Sequence, residues 1–439
     1  MNSAAAMFFN VTVDSLRLVL GLLTLLTGFA RAQFFNDFDQ PPHDYWTAQM
    51  NDPMTRLLAE IERGEKVIKE QPGLPLVRRL LKGLEIPVES QVLVFSRTSL
   101  QRGLVSPGNP RAIFFNEETY LGWMPEGRIE IASSDPERGS VFFFQRKLDD
   151  RQGKLFVRDR VCIQCHAGSA TNFLPGLLAR SVFPDGRGRS LKSVDSFERV
   201  GHNVALSDRW GGWYVTGGHE ELRHMGNAIA SRGARGVELI SDKAVEQVGL
   251  KHFFDTSQYP IATSDVTALL VLDHQVSMHF KLMEASYIVR QAIHDAGWSG
   301  KEVPLEQPEQ FERALRIATE QVVNHLLFAD EVPIGGGRVA GDGVFVKSFL
   351  AGRVADSKGR SLRDFKLEER MFSYRCSYMI YSKSFTGLPE VLRKSIYRRL
   401  HEVLEPRLPV HRYDHFVPGE RAAILEILNE TVSGFKDAV

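Results

Sequence analysis

Cysteine, net charge and long apolar runs are all scarce in this chain. Only 3 of its 439 residues are cysteine, which excludes a fold that depends on a disulfide framework. The 54 basic and 54 acidic residues balance, so no overall field favours nucleic acid or an anionic membrane, and we expect neither as a partner. Beyond residue 32, no apolar run is long enough to cross a bilayer, so we expect no transmembrane span in the mature chain.

The one apolar run near the start, Leu18 to Phe29, is typical of a secretory signal peptide. Arg17 precedes it, and Ala30-Arg31-Ala32 follows it as a small-x-small cleavage pattern. An uncleaved span is the alternative, but a span needs ~20 apolar residues and this run is shorter. We therefore predict a signal peptide over residues 1–32, cleavage after Ala32, and a periplasmic or otherwise exported protein.

A C-x-x-C-H motif stands at Cys162-Ile163-Gln164-Cys165-His166. Two thiols at this spacing reach the two vinyl groups of one haem and form thioethers, and the next imidazole is placed to ligate the iron. At this cysteine and histidine content, chance gives such a motif in fewer than about one comparable chain in a thousand. The motif predicts one haem c, with its iron, per chain, bound by Cys162 and Cys165 with His166 as the proximal iron ligand. Because covalent haem attachment takes place outside the cytoplasmic membrane, the export signal supports it.

The sequence does not fix the second iron ligand. Met225 is the candidate that we place first, because it lies in a stretch rich in aromatic residues and glycine, and because a His/Met pair is typical of electron-transfer cytochromes. Four histidines are alternatives that would give a lower potential: His202, His219, His224 and His274. His274 and Met278 lie one turn apart on a predicted helix and share a face. An open sixth position is the remaining alternative.

The cysteine pair has two further interpretations, and the third cysteine has its own. A thioredoxin-type C-x-x-C needs a βαβ setting, and a structural zinc site needs two more ligands that only histidines supply here. Cys376 is left without a partner and is interpreted as a buried structural thiol, with a role beside the haem as the alternative.

Periodicity predicts an α+β fold, with a β-rich N-terminal region followed by a mainly helical C-terminal region around one haem. The division of the chain is a signal peptide at 1–32, an N-terminal helical segment at 33–90, a β-rich region at 91–160, a haem-binding region with long loops at 161–262 and a helical region at 263–439. The loops carry a basic cluster, which is interpreted either as a solvated surface or as a site for haem propionates or an acidic redox partner: Arg180, Arg187, Arg189 and Lys192.

The pentapeptide at 162–166 resembles the c-type cytochrome signature. Unlike a compact cytochrome c, the chain carries the motif in mid-sequence, behind a β-rich region. The fuller pattern is similar to that of large, exported, single-haem bacterial proteins with a cytochrome c domain: P-R-A-I-F-F-N at 110–116, R-W-G-G-W-Y-V-T-G at 209–217, H-M-G-N at 224–227 and C-S-Y-M-I-Y-S at 376–382. The resemblance implies haem binding and electron transfer, and it brings no known substrate.

We therefore expect an exported monohaem c-type cytochrome-like protein in electron transfer, with a redox partner protein or a small-molecule electron donor or acceptor. One alternative is a haem enzyme, that is, a haem-dependent oxidoreductase, or a sensor of peroxide or a gas, with an open or displaceable sixth iron position. There Arg209, Trp213 or Tyr214 would act on the bound ligand. Another is a haem-bearing subunit of a respiratory complex. Spacing alone assigns no catalytic residue.

Overall fold

The structure, a computed structural model, describes most of the chain from residue 37 onwards. The described residues are 37–146, 154–193, 201–219, 223–233, 236–241, 249–298, 308–334, 339–341, 343–405 and 411–438. The predicted signal peptide and its cleavage point lie outside these residues. The described residues have a β-rich N-terminal half and a helical C-terminal half, which confirms the predicted α+β fold class.

Two short amphipathic helices come first, α1 (Pro53–Glu62) and α2 (Leu74–Gly83). Asp52 caps α1, because its carboxylate accepts hydrogen bonds from the backbone N–H groups of Met54 and Thr55, both at 3.0 Å. Each helix buries its leucines on the side that faces the sheet. Both helices were predicted from the spacing of these apolar residues.

A seven-stranded antiparallel sheet forms the centre of the N-terminal half. Its strands are β1 (Val92–Val94), β2 (Arg111–Phe115), β3 (Thr119–Trp123), β4 (Glu130–Asp135), β5 (Gly139–Gln145), β6 (Phe156–Arg158) and, later in the chain, β9 (Trp213–Tyr214). The order β6-β5-β4-β3-β2-β1-β9 makes the first six strands a meander, which lies within the segment predicted to be β-rich, 91–160. Sequence periodicity did not predict β9, because two residues are too few to show a period of two.

The two faces of this sheet pack against different halves of the protein. Directly paired residues share a face, so Leu93 on β1, Ala112 on β2 and Trp123 on β3 lie together and pack with the leucines of α1 and α2. The opposite face, which includes Phe115 and Tyr120, packs against the C-terminal helices. The sheet is therefore the middle layer of a helix–sheet–helix arrangement.

The segment predicted to be long loops contains regular structure. Two hairpins lie there, β7 (Val182–Pro184) with β8 (Ser190–Ser193), and β11 (Ala228–Gly233) with β12 (Gly236–Ser241). A further short strand, β10 (Gly218–His219), pairs with β13 (Val339–Ala340).

A buried helix, α4 (Val266–Asp295), organises the C-terminal half. Asp265 caps this helix: its carboxylate accepts from the backbone N–H groups of Thr267 at 2.8 Å and Ala268 at 3.1 Å. The remaining helices are α5 (Glu309–Leu326), α6 (Val344–Ala351), α7 (Lys383–Thr386), α8 (Glu390–Leu404) and α9 (Glu420–Thr431). Among the described residues, no helix combines the length and apolar character that crossing a bilayer requires.

A buried ion cluster fixes the start of α9. The Glu420 carboxylate accepts from Arg375 Nη2 at 2.6 Å and from Arg370 Nη1 at 3.0 Å. All three side chains are at most 10% exposed. Removing one partner of such a cluster leaves a buried charge without compensation.

Candidate functional site

The C-x-x-C-H residues lie on a short helix, α3 (Arg160–His166), directly after β6. The Asp159 side chain caps it by accepting from the backbone N–H of Val161 at 3.0 Å. Cys162, Cys165 and His166 are spaced i, i+3 and i+4, so their side chains leave the same side of the helix. Cys162 is half-buried, Cys165 is exposed, and both are free thiols. The arrangement presents two thiols and one imidazole together at the protein surface.

His166 is held in one orientation and one tautomer. Its Nδ1 lies 2.9 Å from the carbonyl oxygen of Gly176, and because a carbonyl only accepts, Nδ1 carries the hydrogen. Nε2 therefore keeps its lone pair, which is the form of histidine that ligates iron. Burial lowers the pKa of His166 to about 4, so the ring is neutral at physiological pH. The Phe142 ring packs against it with centroids 4.2 Å apart.

The thiol of Cys162 is a poor nucleophile in this setting. Burial first, and then the negative charges of Asp159 and Glu130, raise its pKa to about 11. Dithiol oxidoreductases need the opposite shift, because the thiolate is the attacking species. The strand before α3 is also antiparallel to its neighbour, unlike the βαβ setting of a thioredoxin-type motif. Both observations argue against that interpretation of the cysteine pair.

Charged side chains flank the motif on the sheet. Arg111 on β2 forms an ion pair of 2.5 Å with Glu130 on β4, across the intervening Gly122 of β3. A Cβ atom at Gly122 would lie only 2.7 Å from Arg111 Cζ, so the absence of a side chain makes room for the guanidinium. The charges of Arg111 and Arg180 both act on His166. These two cations are therefore near the motif, where propionates need neutralising.

The basic cluster is not a single patch. Arg189 Nε donates to Asp185 at 2.8 Å, and the same carboxylate accepts from the backbone N–H groups of Arg187 and Arg189. Much of the positive charge of this β7–β8 turn is thus neutralised locally. Arg180 is the member whose charge acts on the motif.

The side chains of α3 provide the donor atoms that a c-type haem requires. Two free thiols stand at thioether spacing, and a neutral imidazole with a fixed Nδ1–H offers Nε2. Cys376 lies in the C-terminal core instead, where burial raises the pKa of its thiol, as expected for a structural cysteine.

The candidates for the second iron ligand lie in different places. Met225 is 5% exposed, and its Cε lies 3.0 Å from the point where a Cβ on Gly211 would be. His224 Nδ1 accepts from the backbone N–H of Gly226 at 3.0 Å. His219 belongs to β10, and its side chain lies outside the description. Met225 stays a prediction as the distal ligand.

The two other histidine candidates, His202 and His274, meet in the interior with a third that sequence reasoning missed, His325. His202 Nδ1 lies 2.9 Å from His274 Nδ1, and all three rings are buried. Within the described ranges this is the one group of histidine, cysteine or acidic side chains close enough together to hold a metal ion, and it contains neither thiol of α3. The zinc interpretation of the C-x-x-C pair therefore gains no ligands from the described residues.

His325 could be found from the sequence only as a polar residue in an apolar stretch. It stands between Val322-Val323 and Leu326-Leu327 on α5, just as His274 follows the run Ala268–Leu272 on α4. A histidine on the buried side of an apolar helix needs a polar partner. The sequence shows that His325 requires a polar partner, but it does not show which residue supplies it.

Arg209, which the haem-enzyme alternative places beside the bound ligand, and its neighbour Trp210 contact α4 beside this cluster. Trp210 Nε1 donates to Asp273 Oδ2 at 2.9 Å, and Arg209 Nη1 lies 3.7 Å from the same oxygen. Arg209 also donates through Nε to the carbonyl of Val204 at 2.8 Å. This part of the R-W-G-G-W motif therefore holds the β9 segment against the helix.

Comparison with protein-family models, with curated proteins and with solved structures gives no match. The chemistry of the site must therefore be argued from its own residues.

Proposed function

We propose that this chain is an exported, c-type, single-haem protein in electron transfer. Cys162 and Cys165 would attach the haem, and His166 would ligate its iron. The observation that carries the proposal is the hydrogen bond from His166 Nδ1 to the Gly176 carbonyl, on a helix that also presents two free thiols. A backbone acceptor at this nitrogen fixes the ligand ring and raises its basicity, as in established metal-ligating histidines.

When bound, the haem supplies a one-electron iron couple whose potential depends on the axial ligands and on burial. Cys165 is exposed, so the attachment point lies at the surface, which favours exchange of electrons with a partner protein or a small molecule. Arg180 would supply positive charge near His166 for the propionates, whereas the charge of Arg111 is offset by its ion pair with Glu130.

The test is expression of the full chain in a periplasm that matures c-type cytochromes. We expect a haem band that remains with the polypeptide under denaturing conditions, at one haem per chain. Cys162→Ala combined with Cys165→Ala should abolish covalent haem, whereas the matched control Cys376→Ala should keep it. A full haem content in the double variant would refute the proposal.

The coordination of the iron then separates the functions. We expect the ferrous spectrum to be unchanged by carbon monoxide, because two firm protein ligands define a carrier, and Met225→Ala should make it sensitive to the gas. A shift in the wild-type protein would assign the chain to haem enzymes or sensors instead. Purification in a stable complex with other redox proteins would assign it as a subunit of that complex.

A further inference from the structure

We propose that His202, His274 and His325 form a second metal site, which binds one divalent first-row transition-metal ion such as zinc. Three separate elements supply the ligands: the segment before β9, helix α4 and helix α5. One ring nitrogen from each side chain lies within 4.8 Å of the other two. Tetrahedral zinc with Zn–N bonds of about 2.0–2.1 Å needs ligand nitrogens about 3.3 Å apart, so small side-chain rotations close the site.

The hydrogen bond of His325 leaves one nitrogen free to ligate. Ser277 Oγ donates to the carbonyl of His274 at 2.9 Å, which uses its only hydrogen. Ser277 Oγ must then accept from His325 Nε2, at 2.8 Å. His325 Nδ1 therefore carries a lone pair. This is the arrangement of a metal-ligating histidine whose second nitrogen donates to an outer partner.

His274 has an equivalent outer partner. Its Nε2 lies 2.7 Å from Ser377 Oγ, while its Nδ1 faces His202 Nδ1. Ser377 is fully buried and stands in the C-S-Y-M-I-Y-S segment. Buried serines thus orient two of the three rings. Ser277 on α4 contacts His325, and Ser377, which precedes α7, contacts His274.

The surroundings favour an imidazole-binding metal. Phe328 packs on His202 and His274, with centroids 4.4 Å and 4.7 Å away. Neutral imidazoles suit zinc, copper, nickel and iron, whereas calcium and magnesium require oxygen ligands. Arg209 is among the charged groups that act on His202 and His274, and its guanidinium Nη1 lies 3.7 Å from the Asp273 carboxylate, which offsets its charge.

The site does not depend on the haem. His166 is held by Gly176, whose added Cβ would lie 3.2 Å from Met283 Cε. Met283 is nine residues along α4 from His274, or about 13.5 Å at 1.5 Å per residue. Cys162→Ala with Cys165→Ala should therefore leave metal binding unchanged, so that failure of either proposal is seen separately.

The experiment measures zinc on the full-length exported protein. The protein is washed with chelator, given one equivalent of Zn²⁺, and separated from free ion before elemental analysis. We expect about one zinc per chain. X-ray absorption at the zinc edge, which haem iron does not obscure, should show imidazole nitrogen ligands. Copper and nickel are tested in the same way.

Variants decide the assignment. His325→Gln should retain at most about one hundredth of the wild-type affinity, and Ser277→Ala should weaken binding about 10–100-fold through the outer hydrogen bond. His279→Gln is the matched control, because His279 is a buried histidine on α4, the helix that carries His274, and lies outside the cluster. Should His325→Gln fail to fold, Ser277→Ala and a zinc-dependent rise in the Tm of the wild-type protein provide the test. The proposal would be overturned if the wild-type protein bound neither zinc, copper nor nickel. It would also be overturned if His279→Gln lost as much metal affinity as His325→Gln.

Discussion

The reactivity of Cys162 gives a direct test of how the C-x-x-C pair is used. The haem-free protein, with Cys165→Ser and Cys376→Ala so that Cys162 is the one remaining thiol in both the folded and the unfolded chain, is treated with a small aromatic disulfide. The pKa of the Cys162 thiol is raised from 9.0 to about 11 in the folded state, chiefly by burial. At pH 8 the thiolate population is then roughly 100-fold lower than in the unfolded chain.

Nucleophilicity offsets part of this difference. A thiolate of higher pKa attacks faster, by about tenfold over two pKa units for a Brønsted coefficient of 0.4–0.5. We therefore expect the folded protein to react about tenfold more slowly at pH 8 than the same protein in urea. The assay follows the absorbance of the released thione.

The pH profile separates the pKa from simple shielding. In urea the rate should be half-maximal near pH 9 and level off by about pH 10, whereas in the folded protein it should still rise steeply at pH 10. Steric shielding of the thiol alone would lower the reaction rate by the same factor at every pH and would leave the midpoint of the pH profile unchanged. A midpoint below pH 8 in the folded protein, with a rate above that in urea, would refute the reasoning and favour a dithiol oxidoreductase.

Three substitutions test the packing around the site. Burial raises the pKa of Glu118 from 4.5 to about 7, so ionisation of this carboxyl lowers the stability of the folded protein as pH rises from about 4.5 through 7. Glu118→Gln should therefore gain about 2–3 kcal/mol over wild type between pH 5 and pH 8.5 in urea titrations, and exposed Glu126→Gln should gain nothing. Glu420→Gln should lose about 3–5 kcal/mol in the same assay, because two buried arginines lose their counter-charge; a loss below 1 kcal/mol would contradict this. Gly212→Ala should lower the free energy of unfolding by at least about 2 kcal/mol, since φ is +88° and the new Cβ would lie 2.5 Å from the Cβ of Ser96. Gly64→Ala, where φ is also positive but the space is open, should lower it by about 1 kcal/mol.

The sequence predicted the local elements well, because their signals are local. Asp52 and Asp265 cap the helices that follow them, and both caps are visible as an acidic residue before an apolar-periodic segment. The six strands of the meander are separated by turn residues such as Pro125-Glu126-Gly127. Each of these features depends on neighbours in the chain.

The parts that could not be predicted depend on contacts between distant residues. β9 is a strand only because Trp213 and Tyr214 pair with Val94 and Leu93, more than a hundred residues earlier. His202 and His274 were each considered as iron ligands, and only the packing of α4 against α5 shows that they meet His325. Spacing along the chain carries no signal for such a meeting.

Helix α4 connects the two sites through packing. The cleft beside it is lined by Gly176, His279 and Met283, among others. The Gly176 carbonyl orients His166, the proposed proximal ligand, and a Cβ on Gly176 would lie 3.2 Å from Met283 Cε, so this loop lies beside the helix that carries His274. His274 lies nine residues from Met283 along α4, or about 13.5 Å at 1.5 Å per residue. A variant at one site therefore leaves the residues of the other in place, and haem attachment and metal binding can be measured independently.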